Sequence, residues 1–121
     1  MEKFRFEDLL VYQKSLDYID FVHTITPTFP HFEQRELASQ FRRASSSISL
    51  NIGEGEGGTT KEYLSFLRIA RRSTRECVVC TTVAYRRKYI PEPTMLESRR
   101  RAIEISKMLS GLINSIKDKK P

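Results

Sequence analysis

The sequence predicts an all-α protein, an antiparallel up-down four-helix bundle in a single domain spanning residues 1–121. Three observations predict it. Apolar residues recur at helical spacing in four stretches, the breaks between them are short and marked by Pro, Gly or Thr, and no run shows the two-residue alternation of a strand. At 121 residues there is room for one core, since a domain near this size buries roughly two-thirds of the surface its unfolded chain exposes.

The first helix, about 7–24, sets Leu9, Tyr12, Leu16, Ile19 and Val22 at three- and four-residue steps, one apolar face. It stops before Thr26-Pro27, because the residue preceding a proline avoids the helical region. The second, about 32–52, repeats Leu37, Phe41, Ala44, Ile48 and Ile52, while Ser45, Ser46 and Ser47 keep a neighbouring strip narrow enough for close helix approach. The third, about 60–89, opens with Thr59-Thr60-Lys61-Glu62, a capping box in which hydroxyl and carboxylate satisfy free amides at the helix start. Tyr63, Phe66, Ala70, Ser73, Cys77 and Ala84 centre on its inner side. The fourth, about 95–117, opens with the same device at Thr94 and Glu97 behind Pro91 and Pro93, and presents Met95, Ala102, Ile105, Leu109, Leu112, Ile113 and Ile116.

Net charge is +6, and its distribution is uneven. Residues 1–60 carry 6 Lys/Arg against 9 Asp/Glu, whereas residues 61–121 carry 15 against 6. Halves of opposite sign point to a polyanion partner or a contact between subunits, because charge governs association more than fold. The sharpest feature lies on the third helix. At about 100° per residue, Lys61, Arg68, Arg71, Arg72, Arg75 and Arg86 fall within an arc of roughly 100° facing away from the expected core. Arginine suits phosphate, because its planar fork donates two parallel hydrogen bonds and stays charged. Glu62 and Glu76 lie toward the edges of the stripe, whereas a face kept merely soluble favours mixed signs. Arg87, within Arg86-Arg87-Lys88, and Arg100, within Arg99-Arg100-Arg101, add candidate phosphate contacts around the third connection.

The run Gln40-Phe41-Arg42-Arg43-Ala44, with Ser47-Ile48, Asn51-Ile52, Glu54-Gly55 and Phe66-Leu67-x-Ile69-Ala70-x-x-Ser73-x-x-Glu76, resembles a bacterial four-helix-bundle family. That family includes proteins encoded in intervening sequences of large-subunit ribosomal RNA genes and the accessory variability determinants of diversity-generating retroelements. Weaker echoes at Phe6-x-x-Leu9, Tyr12-Gln13, Phe29-Pro30 and Met108-Leu109-x-x-Leu112-Ile113 extend the resemblance over nearly the whole chain. The resemblance implies a homo-oligomer, a ring of five bundles, and in the retroelement branch association with a reverse transcriptase and its RNA template. Five copies would carry about 30 net positive charges, enough to hold RNA or DNA by phosphate contacts without reading bases. The sequence departs from the family pattern at Gly53, where alanine is usual, and at Arg72, where glycine is usual. Gly53 is expected to fray the end of the second helix, and Arg72 to remove a small contact residue before Ser73.

Other constellations read as structural. Gly53-Glu54-Gly55-Glu56-Gly57-Gly58 has no preceding strand and no phosphate-loop lysine, and its glutamates repel phosphate; a flexible corner is expected. Asn51 and Glu54 are expected to hydrogen-bond across to the third helix around Ser73. Cys77 and Cys80 form a single pair within a helix, with His23 and His31 far off, so packed thiols rather than a metal or redox site are expected. No histidine is placed to activate the Ser45–Ser47 cluster, and no Glu-x-x-His pair suggests a di-metal centre. Tyr12, Tyr18, Phe21, Tyr85 and Tyr89 could stack on bases, though core or interface is the ordinary use; Phe4, Phe6 and Phe32 are expected to cover the bundle end or a neighbour. The charged start MEKFRFED and the lack of a transmembrane run predict a cytoplasmic protein. The expected function is a non-enzymatic, cofactor-free, nucleic-acid-binding oligomer, an accessory to a reverse transcriptase. The alternative is a scaffold bundle of the ribosomal RNA intervening-sequence type with no nucleic-acid role, whose basic face docks the acidic first half of a neighbouring subunit or a separate acidic protein.

Overall fold

The computed structural model describes residues 1–119; Lys120 and Pro121, the last two of the expected domain, lie outside the described residues. Its four helices are α1 Leu10–Ile25, α2 Leu37–Glu56, α3 Thr60–Arg86 and α4 Glu92–Asp118, with no strand among the described residues. Short 3-10 turns at Arg5–Asp8, Thr26–Thr28 and His31–Glu33 precede α1 and link it to α2.

Contacts between helices fix their directions. From Gln40 to Ser47 to Gly55 on α2, the partners on α3 descend from Glu76 to Ser73 to Phe66. Arg71 and Thr81 of α3 meet Ser110 and Ser98 of α4, and Lys14 and Tyr18 of α1 meet Glu104 and Ser98. Neighbouring helices therefore run in opposite directions, and α4 closes the bundle against α1.

The core of α2 follows its periodicity, with Phe41, Ala44, Ile48 and Ile52 buried. The core of α1 does not. Its buried face is Val11, Ser15, Tyr18, Val22 and Ile25, while Leu16 stands 40% exposed. Counting only apolar residues misplaces this face, because the face that is buried includes two polar side chains whose hydroxyls are satisfied inside. Ser15 donates to the carbonyl of Tyr12. Tyr18 joins a relay. Thr81 donates to the Cys77 carbonyl at 2.8 Å, so its oxygen accepts from Ser98 at 2.7 Å, and Ser98 in turn accepts from Tyr18 at 2.9 Å. One proton per hydroxyl is enough to satisfy three helices.

Helix ends depart from their expected places for identifiable reasons. α2 begins at Leu37, because Gln34 and Arg42 tie the preceding turn: Gln34 donates to the carbonyls of Thr26 and Phe29, and Arg42 to Thr26 Oγ1 and the Gln34 carbonyl. It continues through Gly53 to Glu56, so the expected fraying does not occur and the corner shortens to 57–59. Both internal glycines serve packing: a Cβ on Gly53 would stand 3.2 Å from the Phe6 ring, and one on Gly55 would stand 2.6 Å from Phe66 Cβ. The capping box of α3 forms, Glu62 N–H donating to Thr59 Oγ1 at 3.1 Å and Thr59 N–H to the Glu62 carboxylate at 2.8 Å. α3 ends at Arg86 rather than 89, because Lys88 adopts a left-handed φ of 65° and the amides of Lys88 and Tyr89 turn back to the carbonyls of Tyr85 and Ala84. α4 starts early, at Glu92 behind Pro91, so Thr94 lies inside the helix and the expected box does not form, while Glu97 is held by Arg100 and Arg101.

Three stability effects follow. Gly55→Ala lowers unfolding free energy by about 1–3 kcal/mol through overpacking, whereas Gly111→Ala, in open space on α4, raises it by about 0.5–1 kcal/mol. Ser98→Ala, which leaves the buried Tyr18 hydroxyl without its acceptor, costs more than Tyr18→Phe, at about 1–3 kcal/mol. Urea denaturation read by circular dichroism checks all of these; equal effects at the two glycines contradict the packing account.

Candidate nucleic-acid interface

α3 contacts both α2 and α4, and its buried residues are Leu64, Leu67, Ala70, Ser73, Thr74, Cys77, Cys80, Thr81 and Ala84. The far side of the helix carries the arginines. Lys61, Arg68, Arg72, Arg75 and Arg86 are exposed, while Arg71 is half-buried at the α4 edge and donates to Ser110 Oγ at 3.2 Å. Arg72 lies on this outer side, so, contrary to the expectation of a lost contact, it leaves the α2 seam undisturbed; Ser73 stays buried.

Arg68, Arg71, Arg72 and Arg75 line one depression of about 440 Å³ together with Ser106 and Ser110 of α4. Among the described residues, no carboxylate lies within ion-pair distance of any of the four arginines. The nearest acidic residues in sequence are committed elsewhere: Glu62 caps α3, and Glu76 accepts from Gln40 on the α2 side. Four guanidinium groups thus share a site that also offers hydroxyls, an arrangement relieved by an oxyanion with several acceptor oxygens. The serines were not singled out from the sequence. Their four-residue spacing puts them on one face of α4, but nothing in α4 alone says that this face borders α3.

The basic row is interrupted. Between Arg75 and Arg86, a separation of about 16 Å along an ideal helix, the exposed positions include Val79, 60% exposed, and Val83. Arg86 and Arg87 stand at the corner before α4, both exposed. Arg100 belongs to another side of the molecule. It forms a bidentate pair with Glu97 at 2.9 and 2.8 Å and lies 3.9 Å from Glu104, which also binds Lys14 of α1 at 2.9 Å. Hydrogen bonds from Arg100 and then Arg101 hold the Glu97 carboxyl down to about 2. Arg101 also lies over the Phe21 ring, 4.8 Å from its centroid.

The seam between α2 and α3 is polar, with a different wiring from that expected. Asn51 donates to the carbonyl and hydroxyl of Ser47, and Ser73 donates to the same Ser47 hydroxyl at 2.9 Å. Ser47 therefore mediates between Asn51 and α3, while Glu54 is exposed. Cys77 and Cys80 are both buried; burial pushes the Cys77 thiol up and the Cys80 thiol up to about 11, with Glu76 adding to both. Tyr18 is fully buried, and Tyr12 meets Phe6 edge-on at 5.0 Å, so neither offers a free ring. Phe6 covers Gly53, whereas Phe4 and Phe32 remain 71% and 70% exposed. No helix among the described residues is long and apolar enough to cross a membrane.

The thiols give a test of the core. At neutral pH both cysteines resist iodoacetamide in the folded protein and react on denaturation, as counted by intact mass. Because the folded pKa values are raised, folded thiols keep their protons after unfolded ones ionise, so stability falls as pH climbs past the ordinary value of 9.0.

Over residues 7–111 the chain matches the family described as 23S rRNA-intervening sequence protein. It is also similar to the 1.70 Å crystal structure of a protein with unknown function from the S23 ribosomal protein family of Bacteroides thetaiotaomicron VPI-5482. That match has 25% identity and a TM-score of 0.78, and covers 86% of this chain and 98% of the other. No curated protein matches.

Proposed function

The chain belongs to the 23S rRNA-intervening sequence protein family, and we propose that it is a non-enzymatic, cofactor-free binder of RNA or DNA that grips phosphates through the outer face of α3. The observation that carries this reading is the convergence of Arg68, Arg71, Arg72 and Arg75 on one depression, with no neutralising carboxylate among the described residues. Arg71 is held by Ser110, which lowers the rotamer freedom lost when it meets a phosphate. The remaining arginines are exposed and adaptable, as suits a backbone of variable path.

In this reading the protein works as a homo-oligomer in the cytoplasm, a ring of five in which several arginine clusters act on one polyanion, as an accessory to a reverse transcriptase. Avidity then multiplies a modest affinity per subunit. Lys61, Arg86 and Arg87 extend the contact at either end of the central cluster. Arg100 was a candidate contact as well; its pairing with Glu97 and Glu104 leaves it little field for phosphate, so it adds least. A second reading, a scaffold docking an acidic protein surface, draws on the same bare arginines and on the exposed Val79 beside them.

Anisotropy titrations with labelled single-stranded RNA, duplex RNA and DNA test the proposal. If four arginines each neutralise a phosphate, affinity for a single strand falls about 50-fold between roughly 50 and roughly 200 mM salt. Arg68→Glu, Arg72→Glu and Arg75→Glu together abolish binding and leave helix content intact. No binding at the lower salt defeats the reading; loss of the oligomer in the triple variant favours the scaffold.

A further inference from the structure

At the corner between α3 and α4 lies a second depression, about 630 Å³, lined by Tyr85, Arg86, Lys88, Tyr89, Ile90 and Pro91. It joins two phenol rings and two apolar side chains with two cations, and Arg86 lies on the same side of α3 as the central arginine cluster. We propose that this corner seats one unpaired nucleobase of a single strand whose phosphates follow the arginine row. The inference rests on the phosphate-binding reading and adds to it a preference for unpaired nucleic acid.

Tyr89 is fastened at its hydroxyl, and Tyr85 is more loosely tethered. Tyr89 donates to Glu33 at 2.8 Å and packs its ring 5.4 Å from Phe29, and Tyr85 reaches the Glu92 carboxylate at 3.4 Å. A ring already fixed loses little freedom when a base stacks on it. The backbone of the corner is the closing turn of α3. Lys88 is the one non-glycine residue with positive φ among the described residues, the left-handed position that closes α3, and this closure places the Lys88 side chain at the depression. The closing turn engages the carbonyls of Val83, Ala84 and Tyr85, so these acceptors do not meet an incoming phosphate unpaired.

A duplex keeps its bases stacked and paired, leaving no free face for Tyr85 or Tyr89, whereas a single strand can splay a base out. The span of about 16 Å from Arg75 to Arg86 corresponds to about five stacked nucleotides at ~3.4 Å each. One strand can therefore place phosphates on the central cluster and a base at the corner.

The chain contains no tryptophan, so Tyr85→Trp introduces a single fluorescent reporter at the site. Three ligands are compared: single-stranded RNA, a fully abasic strand of equal length and charge, and duplex RNA. The expected result is quenching of the introduced indole's emission by the intact strand alone, with tighter binding of that strand than of the abasic one. Tyr85→Ala then lowers affinity for the intact strand about 10-fold, as stacking energies imply, and leaves the abasic strand unaffected. Equal binding of intact and abasic strands with no quenching overturns the base seat and leaves the phosphate reading standing; no binding of either removes both. A shift in the indole emission of the Tyr85→Trp variant with protein concentration alone shows the corner covered by another copy, and also overturns the proposal.

Discussion

At Gly55 the axis of α2 comes so near α3 that a single added carbon would meet Phe66 Cβ at 2.6 Å. Further along the same seam, Ser47 and Ser73 share a hydrogen bond of 2.9 Å, and Ala44, Ser45 and Ala70 are buried. Small residues allow this approach, and the approach fixes the rotation of α3. Once the small face of α3 is committed to α2 and its Thr74, Cys77 and Thr81 side is enclosed, the arginines have only the outside left. The outward placement of the arginine face is thus set by packing on the opposite side of the helix.

Electrostatics then distinguishes two kinds of basic residue that look alike in composition. On α4, Arg100 and Arg101 are matched to Glu97, and Glu104 bridges to α1, so these charges tie the bundle together. Exposed pairs of this sort add little stability each, though they fix side-chain positions and quench local field. On α3 the carboxylates are placed at the cap and at the α2 edge, and among the described residues the cluster around Arg71 has no carboxylate within ion-pair distance. A concentration of like charge is mildly destabilising in the free protein and is relieved by a polyanion. Burial, with Glu76 adding to it, likewise raises the Cys77 and Cys80 thiols above their ordinary value.

Much of the fold could be read in the sequence, and where reading failed, the reasons are physical. Helix number, the capping box at Thr59 and the apolar face of α2 follow from local signals that the tertiary structure leaves alone. The face of α1 could not be found by counting apolar residues, because buried Tyr18 satisfies its hydroxyl at Ser98, eighty positions away. Gly53 and Gly55 look like helix breakers in isolation; their use becomes visible only with Phe6 and Phe66 in place. The outward arginine row was legible, being a property of one helix. Its serine wall, and the pairing that sets Arg100 apart, depend on which face of α4 meets which neighbour, and one sequence does not contain that information in local form.

The proposed role requires that the guanidinium groups of α3 be open to solvent in the free protein and close onto phosphate. Phenylglyoxal modification, mapped by mass spectrometry with and without saturating single-stranded RNA, tests it most directly. Arg68, Arg72 and Arg75 are expected to react in the free protein and to be protected by RNA. Arginines that are unreactive before RNA is added, or equally reactive after it, would contradict the claim.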